Sequence, residues 1–293
     1  MNFLALLLGL AVERLLTALF HLREFNWLDP LIDRFLGATR STNHIFNMVA
    51  VWGFLLLMLL PVGLVDALLE DRFAQIPLFI FSVFVLLFCL GPRDLGEAVS
   101  DYQKAIEENN QEELHALAAE FLDRDALPAE GVPDIEKAIY SRANNRIFGV
   151  VFWFALLGPV GAWMFRVLDL MRHRALYHPE ADLPEKGTGP LIAAVLVWHW
   201  VLAWVPSRLL MAGYALAGNY EGAVTAWRKG AEDSGSITAD EQLLGTVGCS
   251  AVDHDEDNDV SERAQVAIDL VIRTLWFIWC PVLALLTLYG ALN

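Results

Sequence analysis

The sequence predicts an all-α membrane protein, a polytopic bundle of about five to six transmembrane helices with cytoplasmic helical loops. Composition is the first reason. The 293 residues are 56% hydrophobic, with ten Trp and seventeen Phe, yet the net charge is −16. Such a chain must segregate its apolar and acidic residues along its length. The second reason is that apolar segments recur at lengths near the ~20 residues that cross a bilayer as a helix.

Six apolar segments organise the chain, at 3–20, 45–69, 76–91, 147–169, 190–217 and 266–291. Segment 76–91 is short for a crossing and is either little tilted or re-entrant. The predicted divisions are 1–91 (transmembrane helices 1–3), 92–146 (a cytoplasmic acidic helical region), 147–217 (transmembrane helices 4–5), 218–265 (a cytoplasmic acidic loop) and 266–293 (the C-terminal transmembrane helix).

The first segment is predicted to be a retained membrane helix rather than a secretory signal. It lacks both a basic region before the apolar run and a small-residue cleavage site. Residues 21–44, which follow, predict an interfacial amphipathic helix, because apolar side chains recur there at helical spacing. These side chains are Phe25, Trp27, Leu28, Leu31, Ile32 and Phe35.

The distribution of Lys and Arg predicts the orientation. With six crossings, loops one, three and five carry twelve of these residues, whereas loops two and four carry four. The three long loops are therefore expected in the cytoplasm, with both termini outside. The tetrapeptide "GPVG" at 158–161 also predicts a kink or a broken helix in the fourth segment.

Ionisable residues inside the apolar segments indicate a functional site, since a charge at mid-bilayer costs about 2.5–3.5 kcal/mol on insertion scales. Adjacent Glu13 and Arg14 project about 100° apart on a helix, so at least one must reach another helix. Arg208, Asp269 and Arg273 are the expected partners around a polar cavity that faces the cytoplasm. A purely structural salt-bridge network is the alternative. Arg166, nearer the opposite face, is expected to reach outward as an interface anchor.

Several other site classes are disfavoured. Cys89, Cys249 and Cys280 show no CxxC spacing, so neither a disulfide framework nor a zinc site is indicated, and no metal site is predicted. Net acidity argues against a nucleic-acid partner. His199 in "VWHWVLAWV" is either a packed, hydrogen-bonded histidine or a ligand or proton carrier.

Four stretches of the chain carry a resemblance to a known family: "LAVERLL", "FWFALLGPVGAWMFR", "WVPSRLLMAGYALAGNYEGAVTAWR" and "LLTLYGAL". They resemble AmpE, a family of inner-membrane proteins linked to β-lactamase regulation and encoded beside a muramyl-amide amidase. The resemblance covers nearly the whole chain, and the loops are its weakest part. It also extends to a larger family that includes adenosylcobinamide-phosphate synthase, an ATP-consuming membrane enzyme that forms an amide.

The resemblance implies that the carboxylates of the enzyme's phosphate and Mg²⁺ site are largely missing here. Arg124 and Asp125 are kept and, by position, so is Arg93, while Asn145 matches an Asn of the enzyme. Five other positions depart from the enzyme's pattern, four of them by losing a carboxylate. They are Asn144, Phe148, His199 and Trp200, where the enzyme has acids, and Ala203, where it has Asn.

The resulting hypothesis is an AmpE-like regulator or sensor in the bacterial inner membrane that binds an anionic ligand. The excess of arginines around the predicted cavity favours a phosphate or a carboxylate. Two alternatives stay open: a membrane transferase or ligase with a changed substrate, which would use a nucleotide with Mg²⁺, and a ligand-free scaffold or homo-oligomer. The predicted cavity residues are Glu13, Arg14, Arg93, Arg124, Asp125, Asn145, Arg208, Asp269 and Arg273.

Overall fold

Every regular element that the structure describes is helical, which confirms the predicted all-α class. The structure is a computed structural model, and it describes residues 27–38, 43–72, 75–90, 95–108, 117, 135–177, 189–231, 237–252 and 260–283. The first apolar segment, the acidic run at 253–259 and the C-terminal residues 284–293 lie outside these ranges.

Ten α-helices and two π-helical segments follow one another in the described ranges. The helices are α1 (Asp29–Ala38), α2 (His44–Arg72), α3 (Gln75–Cys89), α4 (Leu95–Glu107), α5 (Ile135–Ala143), α6 (Gly149–Tyr177), α7 (Pro190–Ala217), α8 (Tyr220–Ala231), α9 (Ile237–Ser250) and α10 (Val260–Arg273). The π-helical segments are π1 (Asn144–Phe148) and π2 (Thr274–Trp279).

Four of the described helical stretches are long and apolar enough to cross a membrane, and the shorter stretch Ile76–Cys89 is also apolar. The outer face of α2 shows why a bilayer is needed, since its large apolar side chains stay exposed; among them are Leu56, Leu60 and Leu64. Lipid is the environment that accommodates such a face. The protein is therefore a polytopic membrane protein. The four stretches are His44–Leu69, Ile135–Leu176, Pro190–Ala217 and Ser261–Leu283.

The chain forms two compact units. Unit 1 comprises Met1–Pro92 and Gly149–Ala203, and unit 2 comprises Arg93–Phe148 and Trp204–Asn293. In unit 1, α6 packs against α1, α2 and α3. Indole N–H groups tie the helices together, since Trp163 Nε1 donates to the Met58 carbonyl oxygen at 2.9 Å. An N–H group inside a bilayer must find a protein acceptor, because lipid offers none.

The predicted break in the fourth apolar segment is confirmed at Gly158, whose backbone has φ 66° and ψ −152°. This region is open essentially to glycine alone. A Cβ on Gly161 would collide with the backbone oxygen of Trp153. In a continuous helix, residues eight apart are separated by about 12 Å along the axis. The chain therefore turns sharply at Gly158, and α6 consists of two arms, 149–157 and 159–177.

The second arm of α6 holds α1 through a pair of aspartates. Arg174 donates from Nε to Asp33 at 2.6 Å and from Nη2 to the other oxygen of the same carboxylate, and its Nη1 lies 3.1 Å from Asp29. Ile32 and Leu36, on the inner face of α1, are buried, whereas Leu31 on the outer face is exposed. α1 is thus amphipathic, as its spacing predicts.

This contact corrects the predicted topology. The distribution of Lys and Arg places 21–44 and the end of the fourth segment on opposite faces of the membrane. Groups in hydrogen-bond contact cannot lie on opposite sides of ~30 Å of hydrocarbon, and Arg174 contacts Asp29 and Asp33 directly. A turn at Gly158 that ends the straight crossing, or a re-entrant segment 76–91, which the sequence leaves open, would each place both stretches on one face.

Unit 2 is built on α5, which packs against α9 and α10, while α8 packs on α9 and α4 on α10. The sequence predicts a cytoplasmic acidic loop at 218–265, and α8, α9 and the start of α10 form the described part of it. Glycines in this stretch allow close helix packing. A Cβ on Gly245 would lie 2.9 Å from the Cβ of Lys137, and one on Gly248 would collide with the Tyr140 ring. The glycines of α9, which in the sequence resemble those of a loop, thus allow this helix to approach α5 closely.

The Arg174 contact predicts that α1 and the end of α6 share one face of the membrane. Arg34 and His173 are both exposed. In a background with the three cysteines replaced by Ala, Arg34→Cys and His173→Cys should react with a membrane-impermeant maleimide from the same side, in intact cells or in inside-out vesicles. The background without added cysteine is the control, and labelling from opposite sides would contradict the assignment.

The turn in α6 predicts a position-specific cost for alanine. Gly161→Ala should destabilise the protein by about 1–3 kcal/mol, because its methyl group has no space beside Trp153. Gly53→Ala in α2 is the matched control, since no atom lies within 4 Å of the added Cβ. It should be neutral or stabilising by up to ~1 kcal/mol. Thermal unfolding in one detergent measures both, and equal midpoints would contradict the turn.

Candidate functional site

Four of the nine predicted cavity residues lie in the described part of the chain, and all four belong to unit 2. They are Asn145, Arg208, Asp269 and Arg273. The others, Glu13, Arg14, Arg93, Arg124 and Asp125, lie outside the described residues. A cavity shared by all nine residues therefore stays a prediction.

Arg208 forms an ion pair inside unit 2. Its Nη2 donates to Asp240 Oδ1 at 2.6 Å, and the two side chains are 19% and 8% exposed. The guanidinium carbon lies 5.5 Å from the ring centroid of Trp204, one helical turn earlier. The aromatic face and the carboxylate together hold the guanidinium in one orientation.

Asp269 and Arg273 lie on the exposed face of α10. Asp269 accepts a hydrogen bond from Gln265 Nε2 at 3.2 Å. The neighbouring positions Leu270, Val271 and Thr274 are buried. α10 therefore turns its apolar side toward the rest of unit 2 and presents both charges outward.

Asn145 lies in π1 beside buried Asn144, whose Nδ2 donates to Asn145 Oδ1 at 3.4 Å. Phe148 at the end of π1 makes an edge contact with Trp279 at the end of π2, with centroids 5.1 Å apart. π-Helical turns are rare, and they occur frequently at functional sites. Asn145, which matches an Asn of the resembled enzyme, therefore lies in π1, and the last residue of π1 packs against the last residue of π2.

A second set of charges, in unit 1, is buried more deeply. Arg166 Nη1 lies 3.0 Å from Asp169 Oδ2, and His199 Nε2 lies 3.4 Å from Asp169 Oδ1. Arg172 is buried one turn further along α6. The expectation that Arg166 is an outward interface anchor is therefore wrong: its side chain is only 8% exposed, because Asp169 on the same face of the helix pairs with it.

The structure also contains a groove between α8 and α9. Its volume is about 830 Å³, and it is lined by the polar side chains Thr225, Lys229, Gln242 and Thr246. Arg208 and Asp240 are not among the residues that line this groove.

Sequence reasoning missed Asp240 and Asp169 as site residues. Asp240 lies in a segment that resembles a loop, so its position in the first turn of a helix could not be seen. Asp169 had a usable signal: it follows Arg166 by three residues, a spacing that places both on one face of a helix. A search for i, i+3 charge pairs within apolar segments would have found it.

Comparison with known proteins assigns the family. The sequence profile described as "Regulatory signalling modulator protein AmpE" matches residues 1–293. The chain belongs to the AmpE family. Protein AmpE of Shigella flexneri is 26% identical over 297 aligned residues, which cover 100% of both chains. The resemblance inferred from the four sequence stretches is thereby confirmed.

A second relative extends the comparison to the larger family. Cobalamin biosynthesis protein CobD of Stutzerimonas stutzeri is 27% identical over 150 residues, 50% of this AmpE-family chain and 48% of the relative. No solved structure matches. The chain therefore shares full length with an AmpE relative and about half its length with the cobalamin-biosynthesis protein.

The pair in unit 2 predicts a measurable coupling. In a double-mutant cycle, Arg208→Gln and Asp240→Asn should show a coupling free energy of about 1–3 kcal/mol, because both groups are largely removed from solvent. The exposed pair Lys104–Asp101, whose atoms lie 3.7 Å apart, is the matched control. Its coupling should stay below about 1 kcal/mol. Unfolding monitored in one detergent provides both values; equal coupling for the two pairs would contradict the burial argument.

Proposed function

We propose that this AmpE-family chain is a regulator or sensor of the inner membrane, linked to β-lactamase induction and cell-wall recycling, and that it binds an anionic ligand at Arg208. Membership of a family of regulatory signalling modulators supports the first part. One observation carries the second: Arg208 is held rigidly on one side by Asp240 and Trp204, yet its side chain remains 19% exposed.

The chemistry of the guanidinium favours an anion at this position. Arginine presents five N–H donors in a planar fork and is always charged. One Nη2 donor is used by Asp240, and no other hydrogen bond of Arg208 is found within the described ranges. A phosphate or carboxylate that approaches the exposed edge would accept two parallel hydrogen bonds. The preset orientation lowers the entropy cost of binding.

The remaining predicted residues would complete the site from the cytoplasmic side. Arg93, Arg124 and Asp125 are the positions at which this chain retains the synthase pattern. Asn145 would contribute an amide, and Asp269 with Arg273 would form the outer rim. Together these groups would select a small, anionic, hydrogen-bonding ligand.

Binding and regulation can be tested with one matched pair of variants. Arg208→Gln should weaken the binding of inorganic phosphate or a phosphorylated sugar to the purified protein at least tenfold, because a charge-assisted hydrogen bond contributes about 1.5–3 kcal/mol. Arg228→Gln, at an exposed arginine on α8, should bind as the wild type does. Titration calorimetry in detergent measures both. Wild-type affinity in Arg208→Gln would overturn the site.

The same variants test the link to β-lactamase. Cells that carry Arg208→Gln should show the altered β-lactamase induction of a strain lacking the protein, whereas Arg228→Gln should behave as the wild type. Loss of binding with normal induction would overturn the regulatory link and leave the binding site standing. A ligand-free scaffold or homo-oligomer would give both variants wild-type behaviour in both assays.

The match with the cobalamin-biosynthesis protein favours a second candidate, a membrane transferase or ligase that uses a nucleotide with Mg²⁺. The chain lacks four carboxylates of the resembled enzyme, which weighs against metal-dependent phosphate chemistry. Turnover of ATP with Mg²⁺ by the purified protein, abolished in Arg208→Gln, would establish the enzyme. Under the regulator hypothesis, no turnover is expected.

A further inference from the structure

Among the described residues of unit 1, two arginines, an aspartate and a histidine lie buried, outside the site proposed at Arg208. Arg166, Asp169 and Arg172 recur every three residues on the second arm of α6, and His199 lies on α7. Their exposed fractions are 7%, 9%, 6% and 2%. Charged groups inside apolar helices are costly and are retained at ion or proton sites. This set is hereafter the α6–α7 cluster.

Asp169 is the centre of the α6–α7 cluster. Its Oδ2 accepts from Arg166 Nη1 at 3.0 Å, and its Oδ1 lies 3.4 Å from His199 Nε2. The two oxygens therefore have different neighbours: a cation that stays charged at all accessible pH values, and an imidazole that can gain or lose a proton near neutrality.

We propose that Asp169 and His199 form a proton-binding site within the membrane-embedded part of unit 1. The neutral ring can donate a hydrogen bond to this carboxylate oxygen in one tautomer, and the protonated ring adds the attraction of an opposite charge. Uptake of one proton by the imidazole completes an ion pair at Oδ1 while Arg166 keeps Oδ2 occupied. Release of that proton changes the charge of the buried cluster by one unit, with no covalent change.

The surroundings of the pair fix its geometry. The Phe165 ring lies 5.7 Å from the His199 ring, on an apolar side of the imidazole. Within the cluster, Arg172 on α6 acts electrostatically on Asp169. Outside it, the thiol of Cys89 on α3 interacts with Arg166. The aspartates of α1 are bound to Arg174 instead.

Protonation of His199 can be observed directly. ¹⁵N-labelling of the histidines in the full chain, in nanodiscs, gives ring-nitrogen shifts that distinguish the neutral from the protonated ring. The chain has seven histidines, and the signal that disappears in His199→Gln is that of His199. It should titrate between about pH 5 and 9. Asp169→Asn should move its midpoint by at least one pH unit, a tenfold change in proton affinity.

The controls separate a proton site from a packing role. Glu262→Gln removes an exposed carboxylate in unit 2 and should leave the His199 midpoint within 0.3 unit, or about a factor of two in proton affinity. If Asp169→Asn fails to fold, Asp169→Glu replaces it, since it keeps the charge and displaces it by one methylene. A His199 signal that stays in one protonation state over this pH range would overturn the proposal. So would a midpoint that is unchanged in the Asp169 variant.

Discussion

The close approach of the two arms of α6 is the constraint on which unit 1 depends. Gly158 adopts a backbone conformation that other residues rarely reach, and Gly161 leaves room for the Trp153 carbonyl. Because the chain turns there, the second arm can place Asp169 beside His199 of α7 and Arg174 beside the aspartates of α1. In a straight helix, the same residues would follow a different path through the bilayer.

Features that depend on local periodicity were predictable from the sequence. Apolar length gave the all-α class and the long helices. Helical spacing gave the amphipathic character of α1, and the "GPVG" tetrapeptide gave the break at Gly158. Each of these features is determined by residues within one or two helical turns of one another, so a short stretch of sequence is enough to predict it. Counting charges could not give the path of the fourth segment, because it assumes six straight crossings, whereas the Arg174 contact requires 21–44 and the end of that segment to share one face.

The partners of the buried charges were less predictable, because they come from distant parts of the chain. Arg208 meets Asp240, thirty-two positions later, on a helix whose glycine content resembles a loop. His199 meets Asp169, a residue that sequence reasoning did not select. Burial and charge indicate which residues need a partner, but tertiary packing decides which partner each one meets. The cavity predicted from the arginines alone therefore stays a hypothesis about their shared ligand.

The polar groups of this chain differ in kind from those expected of a metal-dependent enzyme. At the positions where the resembled synthase carries acids, this chain has Asn144 in a π-helical turn and His199 in an ion cluster. An amide binds a metal more weakly than a carboxylate does, and an imidazole beside Asp169 is suited to carry a proton. Replacing carboxylates in this way lowers affinity for Mg²⁺ while retaining polar groups inside the membrane. Such a change is consistent with a family whose members are described as regulatory signalling modulators.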